Sequence, residues 1–153
     1  MRNIIYRVYE RSLERGLVPQ DLPRHVGVIL DGNRRWAERK GSASVSHGHA
    51  VGAQKTLEFL GWCQELGIGV VTLYLLSTDN LKGRASTELE ELQAIIGQLA
   101  NDIAQTGKYR VKLVGDREAL PSALAEAIQT AESATASFEG MHVNLAVAYG
   151  GRK

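Results

Sequence analysis

Four short apolar runs, each closed by polar or glycine-containing turn residues and separated by longer helical stretches, limit this 153-residue chain to one class of fold. The first runs from His25 to Leu30 and ends at Asp31-Gly32, and the second runs from Gly69 to Leu76 and ends at Ser77-Thr78-Asp79-Asn80. The third, Tyr109 to Val114, closes at Gly115-Asp116, and the fourth, His142 to Ala148, closes at Tyr149-Gly150-Gly151. Apolar runs of this length between turn signals read as buried strands. Residues 48–66 carry Ala50, Ala53, Leu57, Leu60 and Leu66 at helical spacing, with Gly67 as the stop. A further helix is expected from Thr87, where Glu90 completes a capping box and Leu89, Leu92, Ile96, Leu99 and Ile103 form the apolar stripe. Pro121 suits the first position of another, followed by Leu124 and Ile128. Near-continuous apolar strands alternating with helices predict a Rossmann-like α/β domain, a parallel sheet with helices on both faces. There is no internal repeat and no low-complexity linker. Residues 1–20 read as an N-terminal helical extension and residues 21–153 as the domain itself.

Composition removes several classes of function. With 44% hydrophobic and 23% charged residues the chain can bury a core, and its net charge of +1 lacks the basic excess of a nucleic-acid-binding protein. The single cysteine, Cys63, sits in an apolar stretch and cannot form an internal disulfide, which fits a reducing compartment and a packing role. No apolar stretch reaches the length of a membrane span, and the N-terminus does not read as a secretory signal. A cytoplasmic location is expected. In the first sixteen residues Arg7, Arg11 and Arg15 recur at four-residue spacing, roughly opposite Ile5, Tyr9 and Leu13. Such a helix can rest on an anionic membrane surface. The competing reading is a solvated helix packed on the domain.

Parallel sheets bind ligands at the carboxyl ends of their strands, which here directs attention to Asp31-Gly32-Asn33, Ser77 to Asn80, and Tyr149 to Arg152. In Asp31-Gly32-Asn33-Arg34-Arg35-Trp36 a carboxylate is followed by a tight turn and the expected start of a helix. Backbone N–H groups at such a start form a seat for a diphosphate, and Arg34 and Arg35 add charged donors. Asp31 beside a diphosphate needs a cation between them, and a hard ion such as Mg2+ fills that role. The competing reading is an ordinary strand-to-helix turn with solvated arginines. An aspartyl phosphatase would want a second acid where Asn33 stands, and no Gly-x-Gly-x-x-Gly follows the first strand to suggest a dinucleotide site.

His25-Val26-Gly27-Val28-Ile29-Leu30-Asp31-Gly32-Asn33-Arg34-Arg35-Trp36-Ala37 closely resembles the first signature of the cis-prenyltransferases, a family that includes undecaprenyl diphosphate synthases and short-chain Z-farnesyl diphosphate synthases. Gly48-His49-Ala50-Val51-Gly52 resembles its Gly-His-x-x-Gly segment, and Thr72 to Leu81 its Tyr-x-x-Ser-x-Glu-Asn signature. Val114-Gly115-Asp116 and Asn144 to Arg152 resemble two further blocks, so the likeness covers residues 20–152 in order. It implies condensation of isopentenyl diphosphate with an allylic diphosphate, with Asp31 holding Mg2+ and Gly32, Asn33, Arg35 and Trp36 around the diphosphate. It also places His49, Ser77 and Asn80 near the reacting centre, His49 for phosphate contact or proton relay. Capping of the following turn is the alternative for Ser77 and Asn80, and a helix-capping or surface role is the alternative for His49. Leu75 and Leu76, bulky where long-chain members carry a small residue and an aromatic, resemble the short-chain synthases and imply geranyl diphosphate as acceptor and Z,E-farnesyl diphosphate as product. Simple strand core is the competing reading of both.

The chain departs from the family pattern in places. Ser42-Ala43-Ser44-Val45-Ser46 lacks the arginine that many relatives place there, leaving Arg34 or Arg39 to supply the contact, and Asp79 replaces the usual glutamate. Relatives continue beyond the Tyr149 to Arg152 block into helices and strands that carry the isopentenyl diphosphate site, an acidic metal ligand and much of a homodimer interface. The resemblance therefore implies a C-terminally truncated domain: a fragment, a cleaved chain, or a non-catalytic homologue that binds a prenyl diphosphate or supports a partner. An exposed sheet edge that invites association is expected of such a chain.

Overall fold

The computed structural model describes residues 2–41, 45–83 and 86–150. Helix α1 (Arg2–Gly16) precedes β1 (His25–Ile29), which leads through α2 (Asn33–Arg39) and α3 (Val45–Glu65) to β2 (Val70–Ser77). Then follow α4 (Thr78–Gly83), α5 (Ser86–Gln105), β3 (Tyr109–Val114), α6 (Ser122–Ala134) and β4 (Met141–Tyr149). The strands form one parallel sheet in the order β1-β2-β4-β3. The expected α/β class and all four strands are present. Pro121 lies one place outside its helix, extended at φ −57° and ψ 144°, and its carbonyl accepts the first helical bond from Ala125 N–H. Helix α4 stands where the sequence suggests only a turn. Its start is capped by Ser77 Oγ, which accepts the Asn80 N–H at 3.1 Å.

Side chains alternate across the pleat, so register decides what each face carries. Val71, Leu73, Val143 and Leu145 share one face through the pairings Val71↔Val143 and Leu73↔Leu145, and all are fully buried. They meet Leu60 and Cys63 of α3, Ile96 and Ile103 of α5, and Ile128 of α6 in a single core. Burying each large aliphatic side chain contributes about 1.5–3 kcal/mol, which makes this layer the main source of stability. Burial pushes the Cys63 thiol above its ordinary pKa, as expected of a packing cysteine.

Helices were expected on both faces; among the described residues they cover one. The other face exposes Ile29, Arg110, Lys112 and His142. Across it runs a row of polar contacts: Thr72 Oγ1 lies 2.8 Å from His25 Nε2 and accepts the Asn144 amide at 3.1 Å. The alternation Tyr109-Arg110-Val111-Lys112 is the mark of a half-covered strand, whereas the unbroken apolar run of β2 suggests burial on both sides.

The β3 edge is not left open in the way the sequence suggests. Helix α6 lies beside it, and Thr135 Oγ1 accepts the Val111 N–H at 3.0 Å while Glu132 Oε1 accepts the Leu113 N–H at 2.8 Å. Arg117 closes an ion pair on the other oxygen of Glu132. Two outward N–H groups that could pair with another strand are thereby taken by side chains. At the end of β3, Gly115 crosses β4 so closely that a Cβ would lie 1.9 Å from the Val147 carbonyl oxygen, which only glycine permits. Replacing Thr135 with Val or Glu132 with Ala should each cost about 1–3 kcal/mol in urea unfolding, because a backbone donor loses its acceptor. The Glu132→Ala chain should also self-associate in sedimentation; a monomer of unchanged stability would show that the edge needs no cap.

Candidate diphosphate site at the sheet tip

The end of β1 turns sharply into α2. Gly32 adopts φ 88°, a left-handed conformation open to glycine, and its carbonyl accepts the Trp36 N–H at 2.9 Å to start the helix. Asp31 Oδ1 accepts the Gly32 N–H at 2.5 Å, and Asp31 Oδ2 lies 3.3 Å from Arg35 Nη2. Both side chains are more than 70% exposed, at 77% for Asp31 and 72% for Arg35, so this pair adds at most about 1 kcal/mol and is easily opened by a ligand. Helix α2 has only seven residues, so its dipole is small, and Arg35 and Arg39 supply the positive charge described here. Arg39 is exposed in its last turn. The side chain of Arg34 lies outside the described residues, as do residues 42–44 and 151–153 of the loop and tail singled out above.

Two cavities meet at this turn. Asp31, Gly32, Asn33 and Trp36 line an open groove of about 530 Å³, completed by Phe59 and Trp62 of α3. Beneath it is a cavity of about 40 Å³ lined by Asn33, His49, Leu75, Leu92 and Ile96. Asn33 lines both. His49 is buried, at 9% exposure, in the early turns of α3. Lys55, Phe59 and Trp62 were not singled out from the sequence, although with Val51 they recur at helical spacing on the α3 stripe facing the groove.

The β2 tip is built differently. Ser77 is half-buried and engaged in the α4 cap, while Asp79 and Asn80 are exposed; none of the three lines either cavity. Register shifts on both sides of Leu76 leave Leu75 without a partner on β4. This bulge turns Leu75 and Leu76 alike toward the helices. Leu75 reaches the small cavity, whereas Leu76, 1% exposed, is part of the core. On β4, Ala148 adopts φ 52°, and Tyr149 stacks edge-on against Tyr74 with centroids 5.4 Å apart. Among the described residues no group of three or more His, Cys, Asp or Glu could hold a metal ion. Asp31 therefore offers a single carboxylate, which suits Mg2+ shared with phosphate oxygens rather than a closed protein cage.

The sequence profile described as undecaprenyl diphosphate synthase matches residues 29–153, from the last residue of β1 onward. The chain belongs to that family. Isoprenyl transferase 1 of Streptomyces avermitilis is 46% identical over 153 residues, and the (2Z,6E)-farnesyl diphosphate synthase of Thermobifida fusca is 48% identical over 153; each match covers 100% of this chain and 59% of the relative. The chain thus spans about three fifths of the length of these relatives, 59% in each case. Among solved structures, lavandulyl diphosphate synthase from Lavandula x intermedia, in complex with dimethylallyl diphosphate, superposes with a TM-score of 0.79 at 33% identity, covering 85% of this chain and 56% of that one.

Within this family fold, Ala148 is a strained non-glycine residue at the tip of a central strand. A left-handed L-residue costs about 1–2 kcal/mol. Ala148→Gly should therefore raise the urea-unfolding stability by about 1 kcal/mol after the entropy glycine adds to the unfolded chain. Unchanged or lower stability would mean that the turn relaxes in solution.

Proposed function

We propose that this chain carries the allylic-diphosphate half of a cis-prenyltransferase, condensing isopentenyl diphosphate with geranyl diphosphate to give Z,E-farnesyl diphosphate and release diphosphate. The observation that carries the reading is the junction at Asn33, where an exposed turn bearing Asp31 and Arg35 meets an apolar interior beside His49. A prenyl diphosphate has the same two-part chemistry, an anionic head and a hydrocarbon tail. The lavandulyl diphosphate synthase complex contains such a molecule, dimethylallyl diphosphate, and the name of the Thermobifida relative specifies a Z,E-farnesyl product.

Under this reading Asp31 opens its weak pair with Arg35, the guanidinium turns to the diphosphate oxygens, and the Asn33 amide donates from the side. Asp31 would hold Mg2+, which when bound would supply charge neutralisation for the departing diphosphate. Arg35 adds to that charge stabilisation, which is greater in the transition state than in the bound substrate. The double bond of isopentenyl diphosphate attacks the allylic carbon and a proton is then lost. On this reading His49, buried beside Asn33, makes the phosphate contact or relays that proton. Ser77, Asp79 and Asn80 act from the neighbouring strand tip, where Ser77 Oγ caps α4. Leu75, with Leu92 and Ile96, limits the tail. The exposed Tyr6, Tyr9 and Leu13 of α1, together with Arg11 and Arg15, support a peripheral contact with an anionic bilayer.

Incorporation of labelled isopentenyl diphosphate into geranyl diphosphate with Mg2+ tests the assignment, on this chain and on the chain completed with the remaining part of the Thermobifida relative. Asp31→Ala should lower turnover by about 10²-fold or more, the usual loss when a group that stabilises developing charge is removed. An unchanged rate would remove Asp31 from the chemistry. In the same assay Leu75→Ala should lengthen the product; chains of unaltered length would show that another side chain sets the limit.

A further inference from the structure

We propose that Gly48 and Gly52 are positioning residues for the diphosphate seat, forming a two-point clasp on α3 that holds Asn33 in place. The inference rests on the diphosphate reading above and extends it to two glycines that act through Asn33. A Cβ built on Gly48 would lie 2.4 Å from the Asn33 carbonyl oxygen and 3.0 Å from the Ala37 Cβ. One built on Gly52 would lie 2.6 Å from Asn33 Oδ1, 2.9 Å from its Cγ and 2.9 Å from Nδ2. Three atoms of the amide at nearly equal distance mean that its flat face lies across the Gly52 backbone. The two glycines are four residues apart and therefore stand one turn above the other on the same face of α3. One fixes the backbone of Asn33 and the other fixes its side chain.

Neither glycine serves a tight turn, for both lie inside a 21-residue helix, where glycine is a poor helix former. Gly61, on the same helix, has nothing within 4 Å of its built Cβ and supplies a natural control. The close approach of Gly52 to Oδ1, Cγ and Nδ2 sets the direction of the Asn33 amide. So directed, the amide N–H groups can donate to a phosphate oxygen at the boundary between groove and inner cavity.

The test compares Gly52→Ala, Gly61→Ala, Asn33→Ala and the double variant Asn33→Ala/Gly52→Ala in the 153-residue chain. Binding of inorganic pyrophosphate with Mg2+ is followed by calorimetry, and stability by urea unfolding. A glycine that mattered only to the helix would behave like Gly61, with alanine raising stability and leaving affinity alone. Instead Gly52→Ala should weaken pyrophosphate binding by about tenfold or more, since small misplacements of a binding group are costly. Added to Asn33→Ala, it should change affinity by less than about twofold, the sign of two residues acting through one contact. If Gly52→Ala does not fold, the double variant, with the amide cleared away, should. A double variant that also stays unfolded, or a Gly52→Ala chain that binds like wild type beside a normal Gly61→Ala, overturns the clasp alone. A wild-type chain that takes up no pyrophosphate overturns the diphosphate reading and the clasp with it.

Discussion

How closely α2 can approach α3 governs the tip of this sheet. The turn at Gly32 throws the chain back over the end of β1, and α2 then lies on α3 with Ala37 buried to 1% between them. A pair of helices with ordinary side chains at the contact sits 8–10 Å apart. Here the facing positions are Gly48 and Gly52, so the first turn of α2 touches α3 backbone directly. Asn33 is pressed into the seam, Asp31 is exposed outside it, and His49, between the two glycines in sequence, is buried against the small cavity. Widening this approach by one methyl group would move all three in relation to one another. The Gly-His-x-x-Gly segment is thus better understood as a spacing device that carries a histidine than as a histidine flanked by flexible residues.

The sheet beneath supplies the rigidity that such a tip requires. Its helix-covered face is an apolar layer, and the ladder β1-β2-β4-β3 places β2 and β4 at the centre with their ends beside the site. The other face is held by polar contacts centred on Thr72, which links β1 to β4 through His25 and Asn144. The two edges differ. On β3 the side chains of α6 take the outward donors, whereas β1 runs beside the open groove with Ile29 at 75% exposure. The accessible edge is therefore the one that leads to Asp31.

Much of this was legible in the sequence, for physical reasons that also explain what was not. The strands could be read because apolar runs bounded by glycine or aspartate allow few other structures, and Asp31-Gly32 could be read as a candidate site because an acid and two arginines gather where a strand meets a helix start. Helix α4 was missed because six residues, Thr78–Gly83, show no periodicity, and their start depends on a single hydroxyl cap. The one-sided sheet was hidden by β2, whose half-buried Val70, Thr72 and Tyr74 look like core when the strand is viewed alone. The clasp was invisible for a different reason. A glycine in a helix pattern signals only weakness, and what it makes room for lies fifteen or more residues away in a separate helix.

The bulge at Leu75 connects the strand to the question of chain length. In a regular strand Leu75 and Leu76 would face opposite sides of the sheet, and only one could enter the helix layer. The extra residue turns both inward, so Leu76 completes the core while Leu75 projects under Asn33 and His49. What remains is a cavity of about 40 Å³, close to the space one water occupies. Among the described residues this cavity is too small for a long hydrocarbon. In the proposed reaction a tail entering from the Asn33 boundary would have to displace Leu75 against Leu92 and Ile96, and each further methylene would meet a more tightly packed core. Under the proposed reaction, growth would end where the cost of moving these side chains exceeds the gain from burying more of the tail, so chain length is a property of packing rather than of the diphosphate chemistry at the tip.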